Sequence, residues 1–144
     1  MPNPLSFCDS NIWLYQFLID PDSDRSEEIK KHNIAINLTN QKNILISTQV
    51  INEVCAVLCK KAKLSEIKIR QIIEEFYQGC IVMDIDRNII VIASDLRTQY
   101  NFSFWDSLIV ASALSGGADT LYSEDMQDGL IVSGQLNIIN PFKL

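Results

Sequence analysis

Four carboxylates stand at positions where an α/β chain could do chemistry. Asp9 follows the apolar run Leu5-Ser6-Phe7-Cys8 and precedes Ser10-Asn11-Ile12-Trp13-Leu14-Tyr15. That pattern predicts a first strand ending at Asp9 and turning at once into a helix capped by Ser10 or Asn11. In an open α/β sheet the carboxyl ends of the strands face the ligand crevice, so Asp9 points into it. Glu53 lies among Val50, Val54 and Val57 on a predicted helix, on the stripe that faces inward. Asp106 stands in the first turn of the helix that starts after Ser103, with Ile109, Val110 and Ala113 on its own face. Asp125 falls just beyond the short apolar strand of Ala118-Asp119-Thr120-Leu121-Tyr122-Ser123, again at the carboxyl edge of a sheet.

Each acid has an ordinary explanation on its own. Burying an unpaired carboxylate costs several kcal/mol, so Glu53 could be paired with a lysine or arginine from elsewhere. Ser103 and Asp106 have the spacing of a capping box, and the helix dipole favours an ionised first-turn acid. Taken together they pose a different problem, because clustered carboxylates repel and some would take up protons at neutral pH. Magnesium or manganese resolves that conflict, since hard cations take oxygen ligands and leave positions for water and phosphate oxygens. Such a centre can activate water for in-line attack on a phosphodiester, the reaction class that uses all four acids.

Alternating strands and helices are expected to position them. Ile44-Leu45-Ile46-Ser47 reads as a second, buried strand, with Thr48 capping a helix to about Ala62. Ser65 opens another helix, faced by Ile69, Ile72, Ile73 and Phe76 and closed by Gly79 as its C-cap. A third strand is expected over Cys80–Ile85, then a helix from Asp86 or Arg87 to about Tyr100. The helix after Ser103 ends at Gly116-Gly117, and Leu136-Asn137-Ile138-Ile139 is a fifth strand. This alternation predicts a parallel sheet. The acidic stretch Asp20-Pro21-Asp22-Ser23-Asp24-Arg25 lacks the twelve-position calcium pattern and reads as a solvated loop.

Composition narrows the class. At 144 residues with 47% hydrophobic content, residues 1–144 are expected to form one domain around one core. No apolar run reaches the roughly 18 residues of a membrane span, and the N-terminus lacks the pattern of a leader, so a soluble cytoplasmic protein with no membrane partner is expected. Cys8, Cys55, Cys59 and Cys80 sit in apolar segments, with His32 the sole imidazole, and they read as free thiols rather than zinc ligands. A net charge of -6 argues against coating nucleic acid by bulk electrostatics. It leaves open an enzyme on nucleic acid whose acids gather round a cation.

Phe7-Cys8-Asp9-Ser10-Asn11, the run Ser47 to Glu53, the run Ser103 to Ile109, and Leu121 to Gly129, with Asn140-Pro141-Phe142 as the ending, together resemble the PIN-domain ribonucleases, in particular the small single-domain VapC toxins. The resemblance spans nearly the whole chain. It implies a three-layer sandwich with a central five-stranded parallel sheet of order 3-2-1-4-5, and Asp9 and Asp125 flanking the switch point between strands one and four. It also implies that Asp9, Glu53, Asp106 and Asp125 are the catalytic acids holding magnesium or manganese, with Asn11 and Ser123 as polar supports and Asp128 as a variable extra acid. A VapC-like protein is expected to be a homodimer that cuts RNA and is silenced by an antitoxin whose tail occupies the acidic site. Lys60, Lys61, Lys63, Lys68 and Arg70 form the most basic part of the chain and could track RNA phosphates.

Two other readings compete. A receiver-type phosphoacceptor domain would use Asp84 after the third strand, Ser123 after the fourth, and Lys143. A PIN-like module that binds without turnover would keep the fold and work through its basic helices or a dimer face.

Overall fold

The computed structural model describes residues 4–18 and 25–143, so the acidic stretch 20–24 lies outside the described residues. The elements run β1 (Ser6–Cys8), α1 (Ser10–Phe17), α2 (Arg25–Thr39), β2 (Ile44–Ser47), α3 (Thr48–Lys61), α4 (Glu66–Gly79), β3 (Ile81–Met83), α5 (Arg87–Gln99), α6 (Phe104–Ser115), β4 (Thr120–Tyr122), β5 (Ile131–Val132) and β6 (Leu136–Ile139). One sheet of order β3-β2-β1-β4-β6-β5 joins all the strands, parallel except for β5. Phe7 is in register with Leu45 on one side and Leu121 on the other, and Leu121 with Ile138. All four residues of β2 are buried, as a parallel strand must be when helices cover both faces. Helix α1 packs with α2 and α3, α5 packs with α6, and α6 also lies against β2.

Among the described residues the sheet has six strands where five are expected. The expected fifth strand is β6, and the addition is β5, paired antiparallel to it through Val132 and Leu136. The connection is tight: Ser133 and Gly134 both take positive φ, and Gln135 N–H donates to Val132 C=O at 3.0 Å. Both central residues at positive φ make a type I′ turn, whose twist matches that of a hairpin. The sheet's two edges are β3, with three residues, and β5, with two, short enough to offer little to another chain.

The strand order removes the receiver reading. In a doubly wound sheet of order 2-1-3-4-5 the third strand is central and its C-terminal acid sits in the pocket. Here β3 is an edge strand, and Asp84 after it is exposed.

Caps differ from expectation by one residue. Asp9, not Ser10 or Asn11, caps α1, and Ser47, not Thr48, caps α3, accepting from Val50 N–H. Ser47 is also the last residue of β2, so that strand runs straight into its helix, while Asp9 alone links Cys8 of β1 to Ser10 of α1. Gly79 is the last helical residue of α4 and does not take positive φ; the extended Cys80 follows it and ends the helix.

Gly116 closes α6 at φ -80°, a conformation any residue adopts, and Gly117 then takes the left-handed position at φ 80°. A Cβ on Gly116 would collide with Leu45 Cδ2, and Leu45 is wholly buried in β2. Gly116→Ala is therefore expected to overpack the α6–β2 contact and cost about 1–3 kcal/mol. Thermal denaturation should show the melting temperature several degrees lower; an unchanged melting temperature would mean that Leu45 turns aside freely.

Candidate active site

Strand β1 is central, and the ladder continues one residue past it: Asp9 N–H donates to Tyr122 C=O at 3.0 Å. This fixes Asp9 at the carboxyl edge of the sheet, only 5% exposed. Its Oδ1 accepts from Ser10 N–H at 2.7 Å, capping α1, and its Oδ2 accepts from the Ser123 hydroxyl at 2.9 Å. Ser123 is itself fixed because its N–H continues the β4–β6 ladder to Ile139 C=O at 3.0 Å.

Glu53 comes in from α3. The Ser10 hydroxyl lies between it and Asp9, 2.7 Å from Glu53 Oε2 and 3.3 Å from Asp9 Oδ1. On its other side Gln49 Nε2 donates to Glu53 Oε1 at 2.7 Å and approaches Trp105 C=O at 3.3 Å. Gln49 thus ties Glu53 to the first turn of α6, which carries Asp106. Its own Oε1 is buried and has no donor among the described residues.

Asp125 is exposed, on the loop after β4. Asn11 holds that loop with both ends of its amide: Nδ2 donates to Asp125 Oδ2 at 3.1 Å, and Oδ1 accepts from Glu124 N–H at 3.3 Å. Asp125 N–H in turn donates to the Ser123 hydroxyl at 3.4 Å. Asp106 is half-buried at the start of α6, its N–H capped by the Ser103 hydroxyl at 3.2 Å. Asp106 and Asp125 share the wall of a cavity of about 150 Å³ with Tyr100, Phe102 and Met126.

The four acids feel one another. Burial pushes Asp9 up to about 6, the charges of Glu53 and Asp106 push the same way, and the Ser123 and Ser10 hydrogen bonds oppose. Asp106 is raised by burial first, then by Asp125 and Glu53, against the Ser103 hydroxyl. Among the described residues no lysine, arginine or histidine pairs with any of the four; the ion pair that forms nearby joins Lys31 to Glu124 at 2.8 Å. That pair also takes in the Tyr15 hydroxyl, 2.7 Å from Glu124 Oε1, and so braces the loop beside Asp125.

Among the described residues no three Asp, Glu, His or Cys side chains ring one point closely enough to grip a bare ion. The reason is local, since a hydroxyl sits between Asp9 and Glu53 while an amide holds Asp125. The donor set still suits a hard cation. It is all oxygen, it lacks a counter-charge among the described residues, and the orphaned Gln49 Oε1 is an acceptor for water. Magnesium keeps several of its waters and takes one or two carboxylates directly, which fits acids spaced in this way.

Of the other expected residues, Asp128 is exposed, and its Oδ1 accepts from Asn140 N–H at 2.8 Å. Lys60, Lys61, Lys63, Lys68 and Arg70 are all exposed. Lys60 lies seven residues along α3 from Glu53, about 10 Å along the axis, and with Lys61 it is in the last turn, where cations favour the helix dipole. All four cysteines are free, and burial raises the Cys8 thiol to about 12 and Cys80 to about 11, the opposite of what a thiolate ligand needs. Ser10 and Gln49 were not expected at the site. Their sequence signal is weak, an ordinary cap-region serine and a helix glutamine four residues before Glu53.

Residues 6–127 match the sequence profile of the PIN domain. A search of curated protein sequences gave no significant match. Among solved structures, a toxin–antitoxin complex from Klebsiella pneumoniae superposes with a TM-score of 0.66 at 19% identity, covering 96% of this chain and 99% of that one. VapBC2 from Rickettsia felis, bound to a DNA fragment from its promoter, gives 0.62 at 18% identity over 94% and 99%. The sarcin-ricin loop cleaving toxin VapC20 from Mycobacterium tuberculosis gives 0.61 at 15% identity over 83% and 89%. At these identities the likeness is one of fold.

Proposed function

This chain belongs to the PIN-domain family, and from that premise we propose that it is a magnesium- or manganese-dependent endoribonuclease, the toxin of a toxin–antitoxin pair. The observation that carries the reading is the linkage of Asp9, Glu53 and Asp125 through Ser10, Ser123 and Asn11, with Asp106 coupled to them electrostatically and, among the described residues, no cation opposing the set. Structural neighbours described as toxins, one of them cleaving the sarcin-ricin loop, support RNA as the substrate and an antitoxin as the partner.

In this reading Asp9, Glu53, Asp106 and Asp125 hold the divalent ion, which when bound supplies positive charge to the phosphate oxygens and lowers the pKa of water. Asp9 is the fixed point, because two strand ladders and a helix cap set its two oxygens. Ser10 keeps Asp9 and Glu53 apart at a set spacing. Asn11 and Ser123 hold the Asp125 loop against the end of β1. Asp106 and Asp125 face the open cavity, where a phosphodiester can approach. Asp128, whose Oδ1 holds Asn140 N–H, is the variable extra acid beside them. The exposed basic residues Lys60, Lys61, Lys63, Lys68 and Arg70 offer a path for the RNA backbone, completed across a homodimer.

The test is direct. A pool of structured and single-stranded RNAs incubated with the purified protein should be cleaved with magnesium or manganese and left intact in excess chelator. Cleavage undiminished by chelator, or none with either metal, removes the proposal.

A further inference from the structure

Beside the acids α6 exposes two large aromatic side chains in a row, Phe104 at 55% and Trp105 at 63%. They meet edge to face, ring centres 5.3 Å apart. Adjacent exposed aromatics at the start of a helix lose hydrophobic burial and invite a partner. Their position is tied to the acidic site, because Gln49 Nε2 bonds Glu53 and the Trp105 carbonyl at once, and Asp106 follows in the chain.

A cation stands with them. The Arg97 guanidinium lies over the Phe104 ring at 4.4 Å, and one of its nitrogens donates to the Ser107 hydroxyl at 2.6 Å. Arg97 is half-buried and, among the described residues, forms no ion pair, so most of its five donors are left for another acceptor. Aromatic faces paired with an unneutralised arginine, next to a carboxylate cluster, match the chemistry of single-stranded nucleic acid. Bases stack on the rings in a sequence-tolerant way, and the guanidinium meets phosphate.

We propose that Phe104 and Trp105, with Arg97 behind them, form a stacking platform for an unpaired base beside the acidic site. The inference rests on the nuclease reading above and assigns the residues that grip its substrate. Duplex RNA keeps its bases stacked inside the helix and could not use the platform.

The experiment has two readouts. In steady-state cleavage of single-stranded oligonucleotides, Trp105→Ala should raise KM about 5- to 100-fold with kcat changed less than about threefold. Trp105→Phe should recover most of the loss, and Arg97→Ala should weaken binding and flatten its salt dependence. In parallel, fluorescence reports binding without turnover. The chain has two tryptophans, and Trp13 is buried, so quenching of the exposed emission by oligouridylate or oligoadenylate reports on Trp105.

Cleavage with an unchanged KM in Trp105→Ala overturns the platform and leaves the nuclease reading standing. Quenching without any cleavage overturns the nuclease reading and keeps the platform as an RNA-binding surface. Neither cleavage nor quenching removes both. If Trp105→Ala instead alters the oligomeric state or the binding of a protein partner while KM for RNA holds, the surface belongs to protein contacts and the proposal fails.

Discussion

Asp9→Asn and Asp106→Asn are each expected to lower metal-stimulated RNA cleavage by about 10- to 100-fold or more, the lower figures being the scale on which metal sites respond to loss of the groups that orient a ligand. The two should differ in how they fail. Asp9 is buried, fixed by the Ser10 N–H and the Ser123 hydroxyl, and an asparagine can keep both bonds, with its oxygen on Ser10 and its amide on Ser123. What it loses is charge, so the defect should appear in the apparent affinity for magnesium as well as in turnover. Asp106 stands at the mouth of the cavity shared with Asp125, where the substrate approaches, so its loss should fall chiefly on kcat. Circular dichroism and melting curves should show both variants folded, which separates lost chemistry from lost structure. Activity within threefold of the parent in both variants would mean that the acids converge for some other reason.

How far a single sequence leads here depends on the range of each interaction. The central strands and their acids are set by local patterns: an apolar run, a carboxylate at its end, and helical spacing afterwards. Asp9, Glu53, Asp106 and Asp125 were legible for that reason. Ser10 and Gln49 were not, because their importance lies in whom they meet. Ser10 bonds Glu53 across 43 positions, and Gln49 reaches the Trp105 carbonyl across 56. No periodicity records such pairs. Strand β5 was missed for a different reason: two residues, one exposed and one buried, carry no alternation. The turn at Ser133-Gly134 was the available signal, a small polar residue and a glycine suited to paired positive φ. The caps slipped by one residue because Asp9 and Ser47 each continue a strand ladder or end a strand while also capping the helix, so no separate loop marks the boundary.

The pH dependence of stability supplies a separate prediction about the charge at the site. Asp9 titrates at about 6 in the folded protein against an ordinary 3.8. A raised carboxylate pKa means that between those values the folded chain holds a proton the unfolded chain has released. Stability from this group is therefore complete below pH 3.8 and is lost as pH rises towards 6. At about 1.4 kcal/mol per pKa unit, the loss by neutral pH is on the order of 3 kcal/mol. Asp106 is shifted in the same direction and adds to the trend. Other groups slope the other way, so the informative quantity is the difference between the parent and Asp9→Asn in chelator. The two should melt together near pH 4, and the variant should melt several degrees higher at pH 7. Saturating magnesium should close that gap from the other side, by stabilising the ionised parent and leaving the variant little changed. The ion binds the carboxylate form, so its effect must grow with pH, and binding at pH 6 should release protons measurable by calorimetry in two buffers of different ionisation enthalpy. Parallel melting curves for parent and variant across the whole range, with magnesium acting equally on both, would show that Asp9 is not where the ion and the proton compete.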